Sequence, residues 1–283
     1  MSVTGGAATA QQRRSWPRQV FTNVAEGLSL FVRSPRAPVK PRWRAYSRFA
    51  AGALVAAVAI AGVILFVDAG AIASAKSGPH WLAAVFEEVT DFGRSGWFLV
   101  PLGIPLIAIA VFATPAAPRL TRRVLASLTV RLGFLFLAIA LPSLFVTIIK
   151  RLIGRARPFV ENQLDPFHYM LGVWRPDYAS FPSGHATTAF AAAIAIGLVC
   201  PRLRTLIWLY ALIIAVSRVV IMAHFPSDVI AGALVGVLGA LFVRDWFAAR
   251  RLGFVIRSDG SISTLAGPSL AHIKRVARNL LAP

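Results

Sequence analysis

An all-α bundle of six membrane-crossing helices is the fold class that this 283-residue sequence predicts. Three observations predict it. Mean hydropathy is +0.68. Charged residues make up 14% of the chain, against about a quarter in soluble domains. And the apolar runs are long enough, since crossing a hydrocarbon core about 30 Å thick takes roughly 20 apolar residues in a helix.

The first run, residues 49 to 67 (FAAGALVAAVAIAGVILFV), carries no charge. It follows 48 polar, Arg-rich residues, too far in for a cleavable secretion signal, so the span is expected to be retained. That leading stretch holds Pro17, Pro35, Pro38 and Pro41 among Arg and Ser and reads as a mostly disordered basic arm. Residues 71 to 96 mix aromatic and acidic side chains too densely to span, and an interfacial helix followed by a turn is predicted there. The remaining spans are placed at 97 to 114, 132 to 149, 186 to 200, 205 to 223 and 229 to 243. The fourth and sixth need flanking residues to reach full length. Pro101 and Pro105 are expected to kink the second span. Gly232, Gly236 and Gly239 give the sixth a small-residue face for close helix packing. The six-span membrane domain is therefore drawn at residues 49–247, between an arm over 1–48 and a basic tail over 248–283.

Six spans place both termini on one side, and Lys/Arg bias decides which. The terminal side carries 21 of the 30 basic residues and the other side eight, with Arg131 at a span edge. Both termini are predicted cytoplasmic. The net charge of +19 lies in short segments flanking spans, so contact with anionic lipid of the bilayer, not nucleic acid, is the implied partner. Cys200 is the single cysteine, which excludes an internal disulfide and a thiolate metal cluster. Oligomeric state is not encoded in any pattern here.

Three elements stand out on the outward side, and the first of them breaks the charge rule. KRLIGRARP crowds Lys150, Arg151, Arg155 and Arg157 where few cations belong. Lys150 and Arg151 alone would read as the snorkelling end of a span. FPSGH, residues 181 to 185, opens the fourth span with Pro182, Ser183 and Gly184 ahead of His185, a helix start whose free N–H groups suit an anion. SRVVIMAHFPSD places Ser217, Arg218, His224 and Asp228 between the fifth and sixth spans. A carboxylate four residues after a histidine can fix its tautomer and leave Nε2 with a lone pair. Lys and Arg together suit a multiply charged oxyanion, and two histidines allow one to attack while the other protonates a leaving oxygen. Phosphoryl transfer uses both. His80, His168 and His272 lack partners at ligand spacing and read as surface or loop residues; Trp81 and Trp97 suit an interfacial belt.

With these residues in place, the sequence resembles the type 2 phosphatidic acid phosphatase family of integral membrane lipid phosphatases. The family pattern is Lys, six residues, Arg-Pro; then Pro-Ser-Gly-His; then Ser-Arg, five residues, His, three residues, Asp. The chain fits all three parts, as Lys150 to Pro158, Pro182 to His185, and Ser217-Arg218 with His224 and Asp228. The resemblance covers about residues 49 to 247 and implies that His224 attacks phosphorus to form a phosphohistidine, that Asp228 orients it and that His185 protonates the leaving group. It further implies that Lys150, Arg157, Arg218, Ser183 and the Gly184 amide bind the phosphoryl oxygens, with no metal and no cofactor. No carboxylate cluster suited to Mg²⁺ stands in the sequence, and fixed cations and amides would take the place of the metal. Arg151 and Arg155 fall at unspecified positions and stay outside this set.

The implied substrate is a membrane lipid phosphate: undecaprenyl diphosphate, phosphatidic acid, phosphatidylglycerophosphate or lipid A. Two other readings use the same residues. A transporter or flippase would bind an anionic head group without cleaving it, but has no need of the His224–Asp228 pair. A phosphotransferase would pass phosphate to an alcohol in place of water.

Overall fold

The computed structural model describes residues 16–36, 43–113 and 117–281. Ten α-helices and one short hairpin are found among them. The helices are α1 (Trp16–Val32), α2 (Trp43–Phe66), α3 (Asp68–Lys76), α4 (His80–Asp91), α5 (Gly96–Phe112), α6 (Arg119–Ile153), α7 (Gly184–Val199), α8 (Arg204–Val220), α9 (Pro226–Ala249) and α10 (Leu270–Leu281). Strands β1 (Phe254–Ile256) and β2 (Ile262–Thr264) pair antiparallel, with Val255 opposite Ser263. Helix dominates as expected, and the hairpin is the small departure from an all-α chain.

Five segments are long and apolar enough to cross a membrane: Phe49–Phe66, His80–Phe112, Arg119–Ile153, Pro201–Val220 and Pro226–Ala249. The expected fourth span is α7, which has 16 residues. At about 1.5 Å per residue it reaches roughly 24 Å, short of the hydrocarbon thickness. It does not need that length, because ten of its residues are buried against protein. Packing, not lipid, surrounds it. The sequence count of six is thus five long spans plus one short enclosed helix. The segment expected as one interfacial helix and a turn is two helices, α3 and α4, and α4 continues through a turn at 92–95 into α5.

Small residues set how close the core helices come. Helix α7 reads GHATTAFAAAIAIGLV, and α9 meets it through Gly232 and Gly236. A methyl group on Gly232 would collide with the Ser183 carbonyl, and one on Gly236 with the Thr187 carbonyl. Gly239 faces Pro142 of α6, 2.7 Å from where its Cβ would be. Backbones this close leave no room for a side chain between them. Thr187 uses the approach to donate its hydroxyl to the Gly232 carbonyl at 3.0 Å. The start of α7 is tied to α9 in the same way, the Ser183 N–H donating to the Asp228 carbonyl at 2.9 Å.

The leading arm was expected to be irregular, yet Trp16–Val32 is helical; residues 1–15 and 37–42 lie outside the described residues. Its Asn23 amide donates to the carbonyls of Ala110 and Ala113 at 2.9 and 2.8 Å, which caps the end of α5. Phe31 lies 5.4 Å from Phe247 of α9, ring centre to ring centre. In the tail, Phe254 of β1 packs on Phe134 of α6 at 4.7 Å. Arm and tail both close over the end of the bundle opposite the loops that follow α6 and α8.

Candidate active site

The C-terminal ends of α6 and α8 and the N-terminal ends of α7 and α9 lie at one end of the bundle. Helix α6 stops at Gly154, which takes a left-handed φ of 64°. A Cβ there would run into the Met170 carbonyl, so glycine is required for the turn that swings Arg155 and Arg157 inward. Helix α8 stops on a Schellman pair: Met222 N–H donates to the Val219 carbonyl at 2.9 Å and Ala223 N–H to the Arg218 carbonyl at 3.1 Å. Met222 holds φ at 53°. This closure turns the chain so that His224 stands just ahead of α9, whose first helical residue is Pro226.

Asp228 is the third residue of α9, and it reaches back along the chain. Its Oδ2 accepts the Phe225 N–H at 2.9 Å and the Ser180 hydroxyl at 2.6 Å, and lies 3.5 Å from His224 Nδ1. The last contact is longer than an ordinary hydrogen bond, as catalytic contacts in unliganded sites often are. Ser180 Oγ is also 3.4 Å from His224 Nδ1. The ring is 3% exposed and Asp228 is fully buried. Burial pushes the His224 imidazole down to about 4 from its ordinary 6.5, against the pull of Asp228 and with the help of the Arg218 and Arg157 charges. The ring is therefore neutral at pH 7. With Nδ1 turned to Asp228 and Ser180, the other nitrogen, Nε2, is left to carry a lone pair.

Around it stand cations with bonding capacity to spare. Arg218 spends Nη1 on the Thr90 hydroxyl at 2.6 Å but leaves Nε buried without a partner, as do Arg157 Nε, Arg151 Nη1 and Ser183 Oγ. Buried polar atoms are rarely left unsatisfied, and four of the six such atoms found among the described residues gather here. Burial also holds Arg157 below its ordinary range, with Arg151 acting in the same direction and Asp177 and Asp228 opposing. The Lys150 ammonium lies 3.9 Å from where a Gly184 Cβ would be, which sets it against the first turn of α7 and its free N–H groups. Burial, and then the charges of Arg218, Arg94 and Lys150, bear on the His185 ring. The eight residues singled out in the sequence thus meet at one place. Among the described residues, no three His, Cys, Asp or Glu side chains come together in a group that could hold a metal ion.

Four participants escaped the sequence reading: Ser180, Asp68, Arg155 and Thr90. Arg155, set aside as an unspecified position, is fully buried and donates Nη1 to Asp228 Oδ1 at 2.6 Å and Nη2 to Asp68 Oδ2 at 2.8 Å. Burial opposes its charge, but Asp228 and the Asp68 hydrogen bond outweigh that and hold the guanidinium above its ordinary value. Thr90 of α4 fixes Arg218 and receives Ser217 Oγ at 3.0 Å. A threonine in an interfacial helix gives no motif to search for; an arginine two places before a motif arginine gives a weak one.

A family model described as PAP2 superfamily matches residues 131–252. The chain is 31% identical over 208 residues to lipid A 1-phosphatase of Rhizobium etli, an alignment covering 71% of this chain and 86% of that protein. It is 36% identical over 128 residues to lipid A 1-phosphatase of Rhizobium johnstonii, covering 45% and 52%. To undecaprenyl-diphosphatase of Sulfolobus acidocaldarius it is 32% identical over 94 residues, covering 31% and 46%; it spans about half the length of these last two. Among solved structures, Aquifex aeolicus LpxE aligns at a TM-score of 0.45 and 24% identity, over 62% of this chain and 94% of that one.

Proposed function

This chain belongs to the PAP2 superfamily, and we propose that it hydrolyses the phosphate of a membrane lipid through a phosphohistidine on His224. The observation that carries the proposal is a neutral, carboxylate-backed imidazole set among buried donors that lack partners. His224 Nε2 attacks phosphorus while Lys150, Arg157, Arg218, Ser183 and the Gly184 N–H hold the equatorial oxygens. The P–O bond to the lipid breaks as the P–N bond forms, and His185 gives its proton to the departing oxygen. Burial and the neighbouring cations disfavour a charge on His185; the entering phosphoryl dianion offsets those cations, and His185 then takes from solvent the proton it gives to the leaving oxygen. Water, deprotonated by His185, then attacks phosphorus, releasing phosphate and restoring His224. Asp228 supports the imidazolium character that grows on His224 in the first step. No metal is needed in this sequence of steps.

Both termini are placed in the cytoplasm and the site at the outer membrane surface, in keeping with the 21 to 8 division of Lys and Arg. A reporter fused after Pro283 should be active only in the cytoplasm; periplasmic activity would put the site inside. The glycosyl phosphate of a lipid A head group is the substrate to test first, since the relative matched over 86% of its length is a lipid A 1-phosphatase. Phosphate release by purified protein from lipid A, undecaprenyl diphosphate, phosphatidic acid and phosphatidylglycerophosphate decides it. A preference of about tenfold corresponds to about 1.4 kcal/mol of differential transition-state binding; equal rates on all four would refute lipid A selectivity. His185→Ala should hurt a phosphomonoester lipid more than a diphosphate, whose phosphate leaving group is less basic. Equal losses would make His185 a binding residue only.

A further inference from the structure

The buried chain Asp68–Arg155–Asp228 leads out of the active site, and nothing in the phosphoryl chemistry yet uses its far end. Asp68 opens α3 and is completely buried. Its Oδ1 accepts the Ser227 N–H at 2.9 Å, and its Oδ2 accepts the Ser227 hydroxyl at 2.5 Å and Arg155 Nη2 at 2.8 Å. Arg155 completes its own bonding with Ser227 Oγ at 2.7 Å, Asp228 Oδ1 at 2.6 Å and the Pro166 carbonyl at 3.0 Å. The Phe225 ring lies 4.6 Å from its guanidinium carbon. One cation is thus shared between two carboxylates, all three groups being shielded from water.

We infer that Asp68 and Arg155 are positioning residues for the nucleophile, setting how much negative charge Asp228 presents to His224. A buried carboxylate with a whole guanidinium to itself is a weak partner for an imidazole; one with no guanidinium is a strong one. Sharing Arg155 with Asp68 holds Asp228 between these limits. The groups facing His224 from the packed elements are Asp228 of α9, Arg218 of α8, Arg157 of the loop after α6, and His185 of α7. Only Asp228 among them favours the imidazolium, so its charge is where the nucleophile is adjusted. Asp68 also ties this adjustment to the turn between α2 and α3, remote from all three sequence motifs.

The inference rests on His224 being the nucleophile, and it predicts shifts of opposite sign. Asp68→Asn gives Arg155 wholly to Asp228, so the acid limb of kcat/KM against pH moves down. The double variant Asp68→Asn/Arg155→Gln strips Asp228 of its cation, so the limb moves up, by about one pH unit or more. The double variant also avoids two uncompensated buried carboxylates, which Arg155→Gln alone would leave. Turnover of phosphatidic acid in detergent micelles is measured for each purified protein, so that substrate ionisation is common to all. Asp68→Asn should lower kcat by about 3- to 10-fold with KM unchanged, because a less basic nucleophile is slower and Asp68 does not touch substrate. Arg155→Lys should keep the wild-type limb more nearly than the double variant does. If His224→Ala is inactive while both limbs stay put or move together, Asp68 and Arg155 are structural only and the inference fails. A His224→Ala protein with normal turnover fails the nucleophile assignment itself.

Discussion

The two ends of the helix bundle hold arginine in opposite ways. At the His224 end, Arg155 is enclosed with two carboxylates and Arg218 is 6% exposed with a threonine at its tip. At the other end the partners are carbonyls and aromatic faces. Arg33 donates to the Arg250 carbonyl, Arg131 reaches the Leu265 carbonyl at 2.5 Å, and Arg250 lies 3.5 Å over the Trp246 ring. Arg244 pairs with Asp245, which stands half in solvent. The same residue type performs two tasks. Where acids are buried alongside, the guanidinium is fixed between them, as Arg155 is between Asp68 and Asp228. Where they are not, arginine closes helix ends and packs on an aromatic ring.

That contrast can be broken most forcefully at His224. Replacing it with alanine should lower turnover by about 10⁴-fold or more, since in the proposed mechanism no other group forms the P–N bond; turnover assays on lipid phosphates check this. Next comes Arg218→Ala, which removes a cation from the transition state and should cost about 10² to 10³ in kcat. Lysine at that position should recover only part, having no planar fork. As the proposed nucleophile, His224 also sets the acid limit: kcat/KM should fall as pH drops toward 4, where it takes up a proton and loses its lone pair. Because the unfolded histidine titrates near 6.5, stability should decline as pH is lowered from about 6.5 to about 4, the unfolded chain binding a proton that the fold excludes.

Smaller effects belong to packing. Gly236→Leu forces a side chain against the Thr187 carbonyl and should destabilise by about 1–3 kcal/mol, read from thermal unfolding in detergent. At the opposite end, Arg250→Ala should leave turnover within about twofold while costing roughly 1 kcal/mol for the lost contact with Trp246. A large loss of activity there would erase the distinction between the ends.

Much of the site was legible because phosphate chemistry demands charged residues at span edges, where a hydropathy pattern throws them into relief. The five long spans stood out for the same reason. Helix α7 did not match its expected length, since enclosure by α6, α8 and α9 is a property of the fold and not of its own composition. Arg155 was passed over because its partner Asp68 lies 87 positions earlier in the chain; no local spacing joins them. The helix at Trp16–Val32 was hidden by the prolines around it, although its apolar residues recur at helical spacing. Met222 carries a left-handed turn without glycine, so the sequence had no mark of the closure that positions His224.

Trapping the covalent intermediate tests the central claim most directly. Purified protein is mixed briefly with phosphatidic acid labelled in its phosphate, quenched with alkali, which preserves phosphohistidine, and digested for mass spectrometry. The account predicts a base-stable, acid-labile phosphoryl group on the peptide containing His224, absent from His224→Ala. Label on another residue, or full turnover with no label under conditions where phosphohistidine survives, would contradict it.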